Sequence, residues 1–219
     1  MSLYTYNRSE ALPELPWING LHIEVSTDIS LLMELGEISK ESVLDRFARN
    51  HIAFVAFLNN VPAAFGWMAR SKAFIGELNQ MVVLPEGNRY LWNFRTVAAF
   101  RGKGIYPALL QFILKYEAAQ ANQFWIIHAP ENKASRNGIV KTGFKYVGQL
   151  FVVPGGQTGF KASKVTIDET HLIQSMGFSP AEDMEASCWN CNSPYLKNRS
   201  ATCCCETRNE ICTSQLITE

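Results

Sequence analysis

Residues 97–105 read Val-Ala-Ala-Phe-Arg-Gly-Lys-Gly-Ile, and this stretch passes from strand-forming residues into a helical pattern through two glycines. Upstream, Arg89 to Val97 is rich in strand formers. Downstream, Ile105, Leu109, Phe112 and Tyr116 recur at helical spacing, which predicts a long helix from about Ile105 to Asn122. Pro107 is tolerated because it falls in the first turn, where backbone donors have no helical partner. A glycine turn that opens a helix presents several N–H groups at the positive end of the helix dipole, a site for an anion. Arg101 and Lys103 add positive charge, and a pyrophosphate is the natural ligand. A nucleotide P-loop would need Gly-Lys-Ser/Thr after four intervening residues, and a dinucleotide fingerprint would need a third glycine where Pro107 stands. Neither pattern is met. A surface turn with solvated basic residues is the competing reading.

Working outward, Leu21 to Val25 alternates like a half-buried strand, and Thr27 or Asp28 can cap a helix running towards Gly36. Ser39 to Arg49 continues as a second helix. His51 to Leu58 and Val61 to Arg70 flank Asn59-Asn60, the signature of an antiparallel hairpin. Phe74 to Leu84 extends the sheet, and Pro85-Glu86-Gly87-Asn88 turns the chain. Beyond the long helix, Phe124 to Ala129 is a compact apolar strand ending at His128. Asn132 to Thr142 reads as a short helix capped by Asn132 and closed by Gly143. Phe144 to Val153 and Phe160 to Ile167 form a final hairpin around Pro154-Gly155-Gly156.

The second segment, Asn132, Ala134, Ser135, Arg136, Lys141, Gly143 and Phe144, gives the turn its meaning. Together the two segments resemble the GNAT superfamily of N-acetyltransferases. That family's phosphate turn, Arg/Gln-x-x-Gly-x-Gly/Ala, is matched by Arg101 and Gly104, with Tyr106 departing at the last position. Its following helix is matched by Asn132, Ser135, Lys141, Gly143 and Phe144. The resemblance spans roughly two-thirds of the chain, from Leu21 to Ile167. It implies an α/β (α+β) fold: a mixed, mostly antiparallel sheet of six to seven strands, a V-shaped splay between strands 4 and 5, and helices on both faces. It also implies acetyl-CoA as co-substrate, with pantetheine pairing on the main chain around Thr96 and Val97. The phosphates would sit on Arg101, Gly102, Lys103, Gly104, Ile105 and Tyr106, and Asn132 and Ser135 would approach the pantetheine or the adenosine phosphate.

An amine must shed a proton before it attacks a thioester. Glu77, near the third strand, and His128, ending the fifth, are the candidate bases. The tyrosine that usually protonates the leaving thiolate in this family is replaced by Ile139. Tyr106, Tyr116 and Tyr146 are the available substitutes. By resemblance, the acceptor, a small-molecule or peptide amine, would be held by Asp28 to Arg49 and the Phe144 to Phe160 region. Trp67, Trp92 and Trp125 suit core packing better than a pocket.

The composition bounds the rest. Of 219 residues, 47% are hydrophobic and 18% charged, and 20 basic residues balance 20 acidic ones. Such a chain builds a core and carries no basic surplus, so a nucleic-acid partner is not expected. No secretory signal and no apolar run long enough for a bilayer is present, so no membrane partner and a cytoplasmic location are expected. The organisation expected is a lead-in at 1–20, an acyltransferase domain at 21–167 and a cysteine-rich tail at 168–219. All six cysteines lie from Cys188 onward. Cys188 and Cys191 have knuckle spacing, and with Cys203 and Cys205 they could bind zinc. Reduced thiols and a redox pair are the alternatives. The rival functional reading is a non-catalytic acyl-CoA-binding regulatory module acting through this tail. The oligomeric state is open, a homodimer included.

Overall fold

The computed structural model describes residues 1–129, 132–153 and 156–182. Eleven strands are formed by these residues: β1 (Ser2–Asn7), β2 (Leu21–Ser26), β3 (Ile52–Leu58), β4 (Val61–Ala69), β5 (Lys72–Ile75), β6 (Gln80–Val83), β7 (Asn88–Thr96), β8 (Gln123–His128), β9 (Lys145–Val152), β10 (Thr158–Ala162) and β11 (Ser179–Pro180). The helices are α1 (Ile29–Gly36), α2 (Lys40–Ala48), α3 (Ile105–Glu117), α4 (Lys133–Thr142) and α5 (Ile167–Ser175). Nine strands make one sheet in the order β11-β10-β9-β1-β8-β7-β4-β3-β2, and β5 and β6 pair separately. Pairing is antiparallel except at β7–β8 and β10–β11. The fold class is therefore the mixed, mostly antiparallel one expected, with more strands than the six to seven anticipated.

Two strands account for much of that difference. Ser2–Asn7, which the sequence reading places in the lead-in, lies at the centre of the sheet between β8 and β9. Its alternation is two-sided, because Leu3 packs into one core while Tyr4 and Tyr6 pack into the other. Phe74 to Leu84, expected as one extension of the sheet, is instead broken by a short 3-10 turn at Gly76–Leu78 and by left-handed Asn79. It folds into the separate β5–β6 hairpin. Structure also continues past Ile167, where α5 carries a full capping box on Thr166 and Glu169 and buries Ile173.

Alternation along the strands divides the core between the two faces of the sheet. On one face α3 and α4 cover Phe54, Ala56, Leu91, Phe124 and Ile126 with Leu109, Leu110, Ile113 and Ile139. On the other, α1 and α2 cover Ala53, Val55, Phe65 and Trp67, while the β5–β6 hairpin and α5 cover Tyr90 and Trp125. Each fully buried Leu or Ile here contributes roughly 1.5–3 kcal/mol over its exposed state.

The far end of α3 is fixed by charge. Glu117 is 1% exposed and pairs with Arg70 and with Arg89, whose Nε donates at 2.6 Å. A carboxylate in the last turn opposes the helix dipole. Two guanidiniums offset that cost and tie α3 to β4 and β7. The helix axis is thereby set, and its N-terminus arrives at the open end of β7. No helix among the described residues is long and apolar enough to cross a membrane.

Candidate cofactor cleft

β7 and β8 run parallel from Asn88–Gln123 to Leu91–Ile126, and there the ladder stops. β7 continues to Thr96 alongside β4 alone. The expected splay thus opens after Leu91. Its local cause is a bulge: between the pairs Trp67–Trp92 and Phe65–Arg95, Gly66 faces two residues, Asn93 and Phe94. Asn93 takes the left-handed conformation (φ 52°) that asparagine tolerates. The Phe94 ring lies over Gly66, where an added Cβ would come within 2.8 Å of Cζ.

Beyond the bulge the N–H of Val97 donates to Ala63 O, so the main chain of that residue faces β4. Alternation turns the groups of Phe94 and Thr96 the other way, into the gap. Thr96 O confirms the direction by accepting from Arg101 Nε at 3.1 Å. The main chain of Val97, expected to pair with pantetheine, is engaged within the protein: its N–H donates to Ala63 O and its carbonyl accepts from the N–H of Phe100.

After a 3-10 turn at Ala98–Phe100, Gly102 and Gly104 both adopt φ 78°. A side chain is strained at that angle, and glycine is not. The N–H groups of Gly102, Lys103, Gly104, Ile105 and Tyr106 donate to no acceptor among the described residues. They stand at the start of α3, where the helix dipole also favours an anion.

A cavity of about 680 Å³ lies between this turn, the end of β7 and α4. Thr96, Arg101, Gly102, Gly104, Ile105, Tyr106, Asn132 and Ser135 all line it, together with Phe94 and Lys141. Lys103 does not. Its ammonium sits 5.3 Å from the Phe100 ring centroid, on the exposed side of the turn. The described lining contains Arg95, Arg101 and Lys141 and no acidic residue. Arg95 is already paired with Glu37 at 2.7 Å, which leaves Arg101 and Lys141 for a ligand.

α4 supplies the opposite wall. Asn132 caps it, its side chain accepting from the N–H of Ser135 at 3.0 Å. Ala134, Asn137, Gly138 and Lys141 line the cavity at spacings of three and four, one face of the helix. That spacing is visible in the sequence and marks the wall residues missed there. Tyr106, which departs from the family pattern, does not block the cleft. Its ring lies against Gly138 and 5.5 Å from the Phe94 ring, with its hydroxyl near the Ser135 side chain. Burial raises the phenol well above its ordinary range, more than Ser135 lowers it, so Tyr106 is a neutral hydroxyl at physiological pH.

The remaining candidates lie elsewhere. Glu77 stands in the turn between β5 and β6, beside Tyr90 and on the face of the sheet away from the cleft. His128 is 7% exposed and does not line the cavity. It packs 5.2 Å from Tyr4, and its Nδ1 donates to Ala129 O at 2.6 Å, which leaves Nε2 as a buried lone pair without a partner among the described residues. Burial lowers its pKa, against the smaller effect of that carbonyl. Ile139 is fully buried between α4 and the sheet. The proposed zinc ligands Cys188, Cys191, Cys203 and Cys205 lie outside the described residues, and among the described residues no group of three His, Cys, Asp or Glu side chains could hold a metal.

No family model and no curated protein matches the chain. Among solved structures it is similar to a GCN5-related N-acetyltransferase from Kribbella flavida, with 13% identity, TM-score 0.44, and 66% of this chain and 53% of that one covered. This chain thus spans about half of the Kribbella flavida protein. It is also similar to AAC(6')-Ib in complex with ribostamycin and coenzyme A, with 16% identity, TM-score 0.48, and 62% and 88% covered. A third is an aminoglycoside acetyltransferase from an uncultured soil metagenomic sample in complex with sisomicin, with 13% identity, TM-score 0.45, and 57% and 88% covered. These neighbours are acetyltransferases, and the splayed, mostly antiparallel sheet described above is the architecture that the sequence resemblance to the GNAT superfamily implies.

Proposed function

We propose that the protein is an N-acetyltransferase that binds acetyl-CoA in the cleft between β7, α3 and α4 and passes the acetyl group directly to a primary amine. The observation that carries this reading is the alignment of two anion- and amide-binding devices. Five N–H groups without described acceptors lie in the glycine turn and the first residues of α3, and the main chain of Phe94 and Thr96, which no strand pairs on the cleft side, leads towards them. The first suits a pyrophosphate, with Arg101 and Lys141 as counter-charges. The second suits the amide-bearing pantetheine arm, which adds to β7 as a short strand would. The thioester then reaches the start of the splay, near Asn93.

There an amine attacks the thioester carbonyl, the tetrahedral oxyanion is stabilised by a main-chain N–H, and the C–S bond breaks to release the thiolate. The amine nitrogen gives up its proton. Glu77 is partly open to solvent, whereas His128 Nε2 is buried; a base must pass its proton on to solvent, so Glu77 is assigned the role. A thiol is acidic enough to leave without a dedicated donor, which accommodates Ile139.

A second reading, binding without turnover, is favoured by that same buried Ile139. One experiment separates them: incubation with acetyl-CoA and a panel of amines, following release of free thiol. Amine-dependent release supports the enzyme, and tight acetyl-CoA binding with no release on any amine supports the binding module.

A further inference from the structure

On the face of the sheet away from the cleft, α2 brings Arg46 against β7. Its guanidinium carbon stands 4.9 Å from the Trp67 ring centroid and 4.5 Å from that of Trp92, and Nη1 donates to Asn93 Oδ1 at 2.8 Å. Two indoles and one hydrogen bond hold this charge in one place. The nearby carboxylate is Asp45, and Asp45 is in an ion pair with Arg49 at 3.0 Å. Among the described residues Arg46 has no ion pair of its own.

The surroundings share its deficit. The Nε1 donors of Trp67 and Trp92 are buried without an acceptor among the described residues. His51, edge-on to Trp92 at 5.4 Å, donates through Nε2 to Lys72 O and contributes no negative charge. Half-buried charges are normally paired, and buried donors normally find acceptors. Among the described residues the guanidinium lacks an anion and both indole N–H groups lack an acceptor, while His51 Nδ1 is a buried acceptor without a donor. Its position matters too, because Asn93 is the bulge residue at which β7 leaves β8. A group held on Arg46 is separated from the cleft by one strand, beside the gap through which an amine would reach the thioester.

We infer that Arg46 anchors a carboxylate of the acceptor, so that the amine acetylated belongs to an amino acid or another small amine bearing an acid group, and not to a polycation. This rests on the reading of the cleft as the acetyl-CoA site. A guanidinium–carboxylate pair partly shielded from water gives the direction and scale of the effect.

The test compares α-amino acids with their decarboxylated amines, for example L-phenylalanine with phenethylamine, on the full chain saturated with coenzyme A. Binding is read by calorimetry, which needs no turnover, and acetyl transfer by thiol release. The acid-bearing member of each pair should bind about tenfold more tightly or better. Arg46→Gln should erase that preference through the acceptor KM, and Arg46→Lys should keep part of it. Acetyl-CoA affinity on the same samples reports whether each variant keeps its cleft. Equal binding of both members, no binding of either, or a preference unchanged in Arg46→Gln would overturn the assignment. Loss of acetyl-CoA binding in the wild type would instead overturn the reading of the cleft.

Discussion

Tyr106 and Gly138 should behave as one unit, although they lie on different helices. An alanine methyl at Gly138 would fall 2.7 Å from Tyr106 Cε1 and closer still to Cδ1. In an unencumbered helix interior, glycine to alanine gains about 1 kcal/mol. Overpacking against a ring packed on Phe94 costs roughly 1–3 kcal/mol. Gly138→Ala should therefore destabilise the wild type by up to about 2 kcal/mol. With Tyr106→Ala the obstacle is gone, and the same change should stabilise by about 1 kcal/mol. The sign should reverse, giving a coupling of about 1–3 kcal/mol in a double-mutant cycle read by urea denaturation. The displaced ring lines the cleft, so Gly138→Ala should also weaken acetyl-CoA binding. Stabilisation by Gly138→Ala in the Tyr106 background would refute the packing argument.

Other predictions follow from the buried charges and the site. Glu117→Gln leaves Arg89 without its carboxylate and should cost about 3–5 kcal/mol, visible as a large fall in Tm; a loss below 1 kcal/mol would contradict the ion-pair account. His51 and His128 both have pKa values lowered from 6.5, chiefly by burial. Below 6.5 the unfolded chain binds protons that the native state refuses, so stability should be full above that pH and decline as pH falls. A Tm series from pH 7.5 to 5.5 checks this, and the double variant His51→Gln with His128→Gln should flatten it. Glu77→Gln should lower kcat by about 10²–10⁴ while acetyl-CoA affinity is retained; an unchanged kcat would exclude Glu77 as the base.

The glycine turn was legible in the sequence because its chemistry is local: two glycines at φ 78° and a helix start need no distant partner. The same holds for the Asn132 cap. Ser2–Asn7 carried a readable signal, since Leu3, Tyr4, Thr5 and Tyr6 are all strand formers, but its position between β8 and β9 depends on pairing across more than a hundred residues. In the sequence Gly138 is only a glycine inside a helical stretch, which weakens α4. Its purpose is a ring supplied by α3, which no local pattern reveals. That the Val97 main chain faces β4 depends on its hydrogen bond to Ala63 in the neighbouring strand, which no local pattern shows. Arg46 was one basic residue on a helix until α2 was set against Trp67 and Trp92.

Equilibrium binding of acetyl-CoA to wild type and to Arg101→Glu tests the central claim most directly. Arg101 lines the cleft and reaches Thr96 O, so reversing its charge should abolish binding, while Lys161→Glu, an exposed side chain on β10, should leave it intact. Equal affinity in wild type and Arg101→Glu would contradict the assignment of this cleft to coenzyme A.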